Sequence, residues 1–209
     1  MKQKWIYIIA LVLILSLYPS FNTKTTTDER FVLADPVEVK TEEISIEFGN
    51  ISQHDFVIFL SNCIDKIPKS KNIETFIPKD LIVAQAGHES AWGNSRFAKE
   101  ANNLFGIRTW DSTKPQVKPL GIKNSPWGII KFDDQCGSVY YYYELINNHS
   151  AYRGFRMSRS IMIENNQPVD SLILVEFLSM FSELGQEYVL RLKKSIKEIR
   201  TKYPWLQQY

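Results

Sequence analysis

The apolar positions of this chain change spacing several times along its length, and each change predicts an element. An uncharged apolar run from Trp5 to Tyr18 comes first. From Pro19 to about Glu43 the chain is polar, threonine-rich and charged without a sustained period, which reads as a linker. A strand-like ISIEF follows at 44–48. Phe56, Phe59, Leu60, Cys63, Ile64 and Ile67 then recur at helical spacing, with Ser52 and Asp55 placed to cap the helix and the turn-rich PKSKN placed to close it. From Leu81 to Trp92 nearly every residue is apolar or small. That pattern predicts a helix buried all round, with Pro78 at its first turn and Gly93 at its stop.

Ser95 begins a short helix through Glu100, and Asn102 and Asn103 break the pattern before Leu104-Phe105-Gly106, a loop expected to face the end of the 81–92 helix. Between Thr109 and Lys131, Pro115, Pro119, Pro126, Gly121 and Gly128 punctuate the chain, so short strands and turns fit. Asp133 or Asp134 precedes a helix from about Gln135 to Asn147, and the stretches Ser171 to Met180 and Gly185 to Tyr203 supply two more. No internal repeat or low-complexity tract is visible in the domain.

One residue does not suit its surroundings. Glu89 lies in the 81–92 helix, flanked by Ile82 and Ala86 at about 100° per residue, while Leu81, Gln85, His88 and Trp92 share another side. Burial disfavours the ionised form of a carboxyl, so Glu89 is expected to hold its proton above the usual range, as a general acid does. The plainer alternative is a structural glutamate tied to a backbone end, to Arg96 or to Arg108.

The segment AQAGHESAWGNSRFAKEANNLFGIR resembles the glucosaminidases of glycoside hydrolase family 73, and in particular their Bax-type members. The S-x-W-G-x-S-x-x-A run falls at Ser90 to Ala98 and N-N-L-F-G at Asn102 to Gly106. The resemblance continues through GIIKFDDQCGSVYYYYELINNHSAYRGFR and FSELGQEYVLRLKKSIKEI, covering about Phe76 to Ile199 in order. It implies a mainly helical α+β, lysozyme-like fold with a small β-lobe over a sugar cleft. The implied reaction is hydrolysis of the β-1,4 bond after N-acetylglucosamine in peptidoglycan.

Most glycosidases flank the scissile bond with two carboxylates. Glu89 supplies the acid; the second group is less plain. The β-lobe offers only Asp111. Asp133 falls at the family's aromatic-Asp-Ser position, with Asp134 in place of the serine, and is either catalytic or a helix cap. Alternatively, the substrate's own N-acetyl carbonyl replaces the protein nucleophile, in which case a tyrosine or amide suffices. Tyr188 matches a functionally important tyrosine of the related enzymes, but also lies on an apolar stripe with Leu184, Leu192, Ile196 and Ile199. Aromatic faces and amides hold uncharged sugars. Phe105, Trp110, Trp127, Asn103 and Gln85 are therefore candidate substrate contacts, whereas Trp92 and the run Tyr140 to Tyr143 read as core or packing face.

Composition narrows the class. Lys2, Lys4 and Lys24 are the only charges before Asp28, so of 25 basic and 23 acidic residues the remainder holds 22 and 23, a net of −1. The basic balance belongs to the leader, and nucleic acid is not an expected partner. The cluster Arg191, Lys193, Lys194, Lys197, Arg200 and Lys202 alternates with the stripe around Tyr188 and reads as a solvated helix face. His54, His88 and His149 are widely spaced and His88-Glu89 lacks a second histidine at zinc-protease spacing, so neither metal nor cofactor is expected. Cys63 and Cys136 would permit one bridge, but two separate buried thiols are the favoured reading.

Residues 1–20 read as a signal peptide or, if uncleaved, a membrane anchor: lysines precede an apolar run of about 14 residues, short of the roughly 20 a span requires. Residues 21–43 read as linker and 44–209 as the catalytic domain. An exported, monomeric enzyme acting on peptidoglycan glycan strands in the periplasm or cell envelope is expected. A lytic transglycosylase or muramidase on the same scaffold, or a non-catalytic wall-binding protein, are the alternatives.

Overall fold

A computed structural model describes residues 47–68, 72–122 and 124–207. The expected leader and linker, and most of the expected strand ISIEF, lie outside the described residues; Phe48, at the end of that stretch, is in a turn and buried. The described chain is mainly helical with one small antiparallel sheet, an α+β lysozyme-like fold.

Helix α1 spans Gln53–Asp65, and its start is set as the sequence predicts: Ser52 Oγ accepts from Asp55 N at 3.1 Å and donates to Asp55 Oδ2 at 2.5 Å. Helix α2, Lys79–Ser90, is the central element. Asp80 to Gly87 are all buried, and α2 packs against α1 and the last long helix. Pro78 precedes the helix rather than forming its first turn. The helix also ends earlier than Gly93: Ala91 (φ 51), Trp92 (φ 56) and Gly93 (φ 81) form a run of left-handed backbone. That turn lays the Trp92 indole back over Gly87, where a Cβ would lie 2.6 Å from the ring. Only glycine leaves room for that approach.

Short helix α3, Arg96–Glu100, is capped by Ser95, which accepts from Ala98 N at 3.1 Å. The punctuated stretch forms the β-lobe: β1 Arg108–Thr109, β2 Gln116–Val117 and β3 Gly128–Ile130, in the order β1-β3-β2, with Arg108 opposite Ile129 and Gln116 opposite Ile130. Helix α4, Gln135–Asn148, is capped by Asp134, whose Oδ1 accepts from Gly137 N at 2.7 Å.

A 3₁₀ turn at Ser150–Tyr152 leads into α5, Arg153–Glu164, a helix that the hydrophobic pattern does not announce. Its buried residues are Phe155, Arg159 and Met162, so an arginine interrupts the apolar stripe. Arg159 is tolerated there because Nη1 donates to the Phe76 carbonyl at 3.0 Å. The expected helix 171–180 is α6, Ser171–Leu174, tightening into a 3₁₀ segment, Val175–Phe181. Helix α7, Gln186–Lys202, follows Gly185, and a 3₁₀ turn, Pro204–Gln207, ends the described chain.

A buried ion network ties these helices to α2. Asp80, 1% exposed, accepts from Leu81 N at 2.9 Å, from Ser171 Oγ and from Arg200 Nε at 2.6 Å, and Arg200 Nη2 reaches Asp170 Oδ1 at 2.6 Å. The starts of α2 and α6 are thereby fastened to α7. Within the expected basic cluster, Arg191 pairs with Glu187 and Lys193 with Glu176, in keeping with a solvated, internally compensated face.

The cysteine expectation is corrected. Cys63 and Cys136 are bonded, with Cα atoms 5.2 Å apart, joining α1 to the first turn of α4 across 73 residues of sequence. Period and burial could not show that α1 and α4 lie side by side, which brings the two thiols together. Closing a loop of this length removes unfolded-state entropy. Replacing both cysteines with alanine should lower the unfolding free energy by about 2–5 kcal/mol in urea titration. Two alkylatable thiols in the unreduced, denatured wild-type protein would show that the bond does not form.

Candidate active site

Glu89 lies in the last turn of α2 and is half-buried, facing the loop that follows α3. The chain passes beneath it at Gly106 (φ 64), where an added Cβ would come 3.7 Å from Glu89 Oε2. Desolvation raises the Glu89 carboxyl above its ordinary value of 4.5; the Tyr188 hydroxyl and then the Arg108 charge pull it partly back. A carboxyl held this way keeps its proton at higher pH than a free glutamate and can deliver it.

The loop beneath is rigid because its asparagines are spent on the backbone. Asn103 Nδ2 donates to the carbonyls of Ile107 (3.1 Å) and Ile130 (2.9 Å), and its Oδ1 accepts from Phe105 N (3.3 Å) and Ile107 N (3.0 Å). Asn102 Nδ2 donates to the carbonyls of Phe132 and Asp133, both at 2.9 Å, and its Oδ1 accepts from Gln135 Nε2 at 2.9 Å. The loop is thus pinned to the β-lobe and to the start of α4.

Three of the expected substrate contacts are buried. Asn103 is 1% exposed with its amide fully engaged, and so holds the loop rather than a sugar. Phe105 is 1% exposed and stacks on Tyr142 with ring centroids 4.1 Å apart and planes 10° apart, which makes it core. Gln85 is fully buried, one turn before Glu89, and its Oε1 accepts from Tyr142 Oη at 2.7 Å. In each case a polar or aromatic residue beside a cleft looks the same in sequence whether it faces inward or outward.

The other candidates are placed differently. Trp110 is 66% exposed on the β-lobe, as a surface aromatic available to a ligand. Trp127 is half-buried, with the Arg108 guanidinium 4.5 Å from its ring centroid. Arg108 Nη1 also reaches Glu183 Oε1 at 3.4 Å, so this arginine joins the β-lobe to the turn before α7 while its charge acts on Glu89. Arg96, by contrast, is taken by Glu100 and the Lys118 carbonyl. Trp92 packs edge-on against Phe56.

Tyr188, in the first turn of α7, is 1% exposed, and its ring lies parallel to Phe181 and edge-on to His88. Its hydroxyl is buried without a well-formed hydrogen bond, yet stands within the influence of both Glu89 and Gln85, and burial followed by the Glu89 charge raises its pKa. The stripe reading and the site reading therefore both describe this residue: its ring is core and its hydroxyl borders the acid.

Neither aspartate supplies an evident second carboxylate. Asp133 is exposed beside the capping Asp134, and no interaction among the described residues links its carboxylate to Glu89. Asp111 is exposed and turned onto its own loop, with Oδ1 accepting from Thr113 N at 3.0 Å and Thr113 Oγ1 at 2.6 Å. Among the described residues no group of three or more His, Cys, Asp or Glu side chains is placed to hold a metal ion, and no helix is long and apolar enough to cross a membrane. A cavity of about 570 Å³ opens at the other end of α2, lined by Phe76, Pro78, Ile173 and Leu206 around the already paired Asp80 and Arg200.

A lysozyme-like fold that presents one proton-retaining glutamate from a buried helix, over a glycine turn, defines a glycoside-hydrolase-like domain. The family model for mannosyl-glycoprotein endo-beta-N-acetylglucosaminidase matches residues 68–170, so this segment of the chain is glucosaminidase-like. It is similar to Protein bax of Escherichia coli (strain K12), with 31% identity over 125 residues, or 59% of this chain and 44% of that protein. The chain therefore spans less than half the length of this relative. No solved structure matches it significantly. Glu183 and Tyr188 lie beyond the family-matched segment and reach the site through the fold.

Two outcomes follow from the electrostatics. A carboxyl whose folded pKa is raised contributes most to stability below its unfolded value and loses that contribution as pH rises through the folded value. Thermal melts of wild type and Glu89→Gln should therefore diverge in favour of the variant as pH climbs from 4.5, and converge below it. Removing the Arg108 charge should raise the Glu89 pKa further. Arg108→Gln is expected to move the alkaline limb of any Glu89-dependent activity to higher pH; a limb moved to lower pH would rule out the assigned role of that charge.

Proposed function

We propose that this protein is an exported endo-β-N-acetylglucosaminidase that cleaves the β-1,4 bond following N-acetylglucosamine in peptidoglycan, with Glu89 as the general acid. The observation that carries the proposal is the Glu89 carboxyl itself: desolvated at the end of a buried helix, raised in pKa, and only half-buried above Gly106. The glucosaminidase family match supports the class of bond.

Glu89 passes its proton to the glycosidic oxygen as the C1–O bond breaks, and the leaving sugar departs as an alcohol. The acetamido carbonyl oxygen of the same N-acetylglucosamine attacks C1 and closes a five-membered cationic ring. Water then adds to C1, gives a proton to the Glu89 carboxylate, and the ring reopens to the acetamide. This route asks for no second carboxylate, which suits the exposed, unconnected positions of Asp133 and Asp111. It asks instead for a group that steadies Glu89 while it is ionised, and the Tyr188 hydroxyl borders that carboxyl. Trp110 and Trp127 on the β-lobe are the aromatic faces offered to the glycan.

The test is digestion of purified peptidoglycan by the full-length protein, borohydride reduction of the new ends and their identification by mass spectrometry. Reduced N-acetylglucosamine ends are expected, with Glu89→Gln lowering their rate of appearance by about 10²–10⁴-fold, the usual contribution of a general acid. Muramic or anhydromuramic ends would move the domain to the muramidase or lytic transglycosylase reading, which also uses one acid. Binding without new ends would make it a wall-binding protein.

A further inference from the structure

The site contains two buried polar atoms that make no well-formed hydrogen bond, Gln85 Nε2 and Tyr188 Oη. Leaving such atoms unpaired is costly, so their coincidence beside one carboxyl calls for a physical reason. Gln85 and Glu89 lie one turn apart on α2, and Tyr188 arrives from α7. Tyr142 arrives from α4; it is fully buried and its hydroxyl donates to Gln85 Oε1 at 2.7 Å.

We propose that Tyr142 and Gln85 are a positioning pair that fixes the direction of the Tyr188 hydroxyl, so that its single proton points at Glu89. An amide has an acceptor end and a donor end, and a phenol hydroxyl has one proton. With the Tyr142 proton on Oε1, Gln85 can present only N–H to its other neighbour. The Tyr188 oxygen is then an acceptor toward Gln85, and its proton is left for the carboxylate. Turning the amide over would set Oε1 against Tyr188, draw the proton away from Glu89, and leave the ionised carboxylate facing oxygen lone pairs. Tyr142 opposes that reversal, because its own proton would then lose the acceptor it has in Oε1.

The pair matters most in the interval when Glu89 has given up its proton, since a hydrogen bond to an ionised carboxylate is about twice as strong as one to a neutral group. In the resting domain the Tyr188 contacts are loose, as catalytic hydrogen bonds commonly are before substrate binds. The catalytic consequence rests on the glucosaminidase reading, whereas the hydroxyl direction belongs to the resting protein. Besides Tyr188, the group acting on Glu89 is the Arg108 guanidinium from β1, and the Glu89 charge in turn helps burial to raise the Tyr142 phenol on α4; His88, next to it on α2, is lowered by burial and then by the Arg191 charge.

The experiment titrates the Glu89 carboxyl by ¹³C NMR in full-length, glutamate-labelled protein, in wild type, Tyr142→Phe, Tyr188→Phe and the double variant. Tyr142→Phe should raise the Glu89 pKa, Tyr188→Phe should raise it too, and the double variant should match Tyr188→Phe alone, because the effect of Tyr142 runs through that hydroxyl. Glycan cleavage should follow the same pattern, with about a tenfold loss on Tyr142→Phe that disappears when residue 188 is already Phe. Gln85→Met, of similar volume and without charge, serves as a second route and should behave as Tyr142→Phe does. An unchanged Glu89 titration, or a shift of equal size in the Tyr188→Phe background, would reduce Tyr142 and Gln85 to packing. A shift obeying the pattern in a protein that cleaves no glycan would keep the direction rule and overturn the proposed reaction.

Discussion

Burial of α2 on every side is the constraint on which the rest of this structure depends. A helix enclosed by α1, α7 and the last 3₁₀ turn can hold few polar groups, and each must be answered by a partner. Asp80 at the start is answered by Ser171 and Arg200, Gln85 in the middle by Tyr142, and Ser90 at the end by the Ala86 carbonyl and Gly93 N. Glu89 is the exception, since no partner neutralises it and its raised pKa records what burial without a full ion pair does to a carboxyl. The same enclosure that stabilises the helix raises the carboxyl in its last turn.

The elements around that turn divide the work by stiffness. Asn102 and Asn103 spend their side chains on backbone groups and on the Gln135 amide, so the loop carrying Gly106 beneath Glu89 is held by the β-lobe and by the start of α4. The disulfide fastens α4 in turn to α1. These links give the carboxyl a fixed floor. Arg108 works on a longer range. Stacked on Trp127 and reaching Glu183, it sets a positive charge near the acid while leaving the Glu89 proton in place.

Much of the fold is legible in the sequence. The caps at Ser52 and Ser95, the buried period of 81–92, the aspartates before α4 and the proline-punctuated lobe each follow from local chemistry, and each reappears at nearly the expected residues. Glu89 stands out by the same logic, as the one acid between Leu81 and Trp92. Helix α5 is hidden because Arg159 occupies a core position, and its acceptability depends on a carbonyl 83 residues away. The early stop of α2 is hidden because the left-handed Ala91 and Trp92 are selected by the indole seating over Gly87 rather than by their own preference.

Periodicity and caps are properties of neighbours in the chain, and so the sequence by itself determined where all the long helices but α5 lie, that one of them is enclosed, and that its glutamate is out of keeping with its surroundings. Which way a side chain faces once helices have met is a property of distant neighbours. Only the tertiary structure could turn Phe105 onto Tyr142, commit Asn103 to the loop, bury Gln85 beneath Glu89 and bring Cys63 to Cys136. The same holds for Tyr188: its helical stripe places the ring in the core, but the meeting of α7 with the end of α2 puts its hydroxyl beside the acid. Packing of remote helices decides that geometry, and no local spacing encodes it.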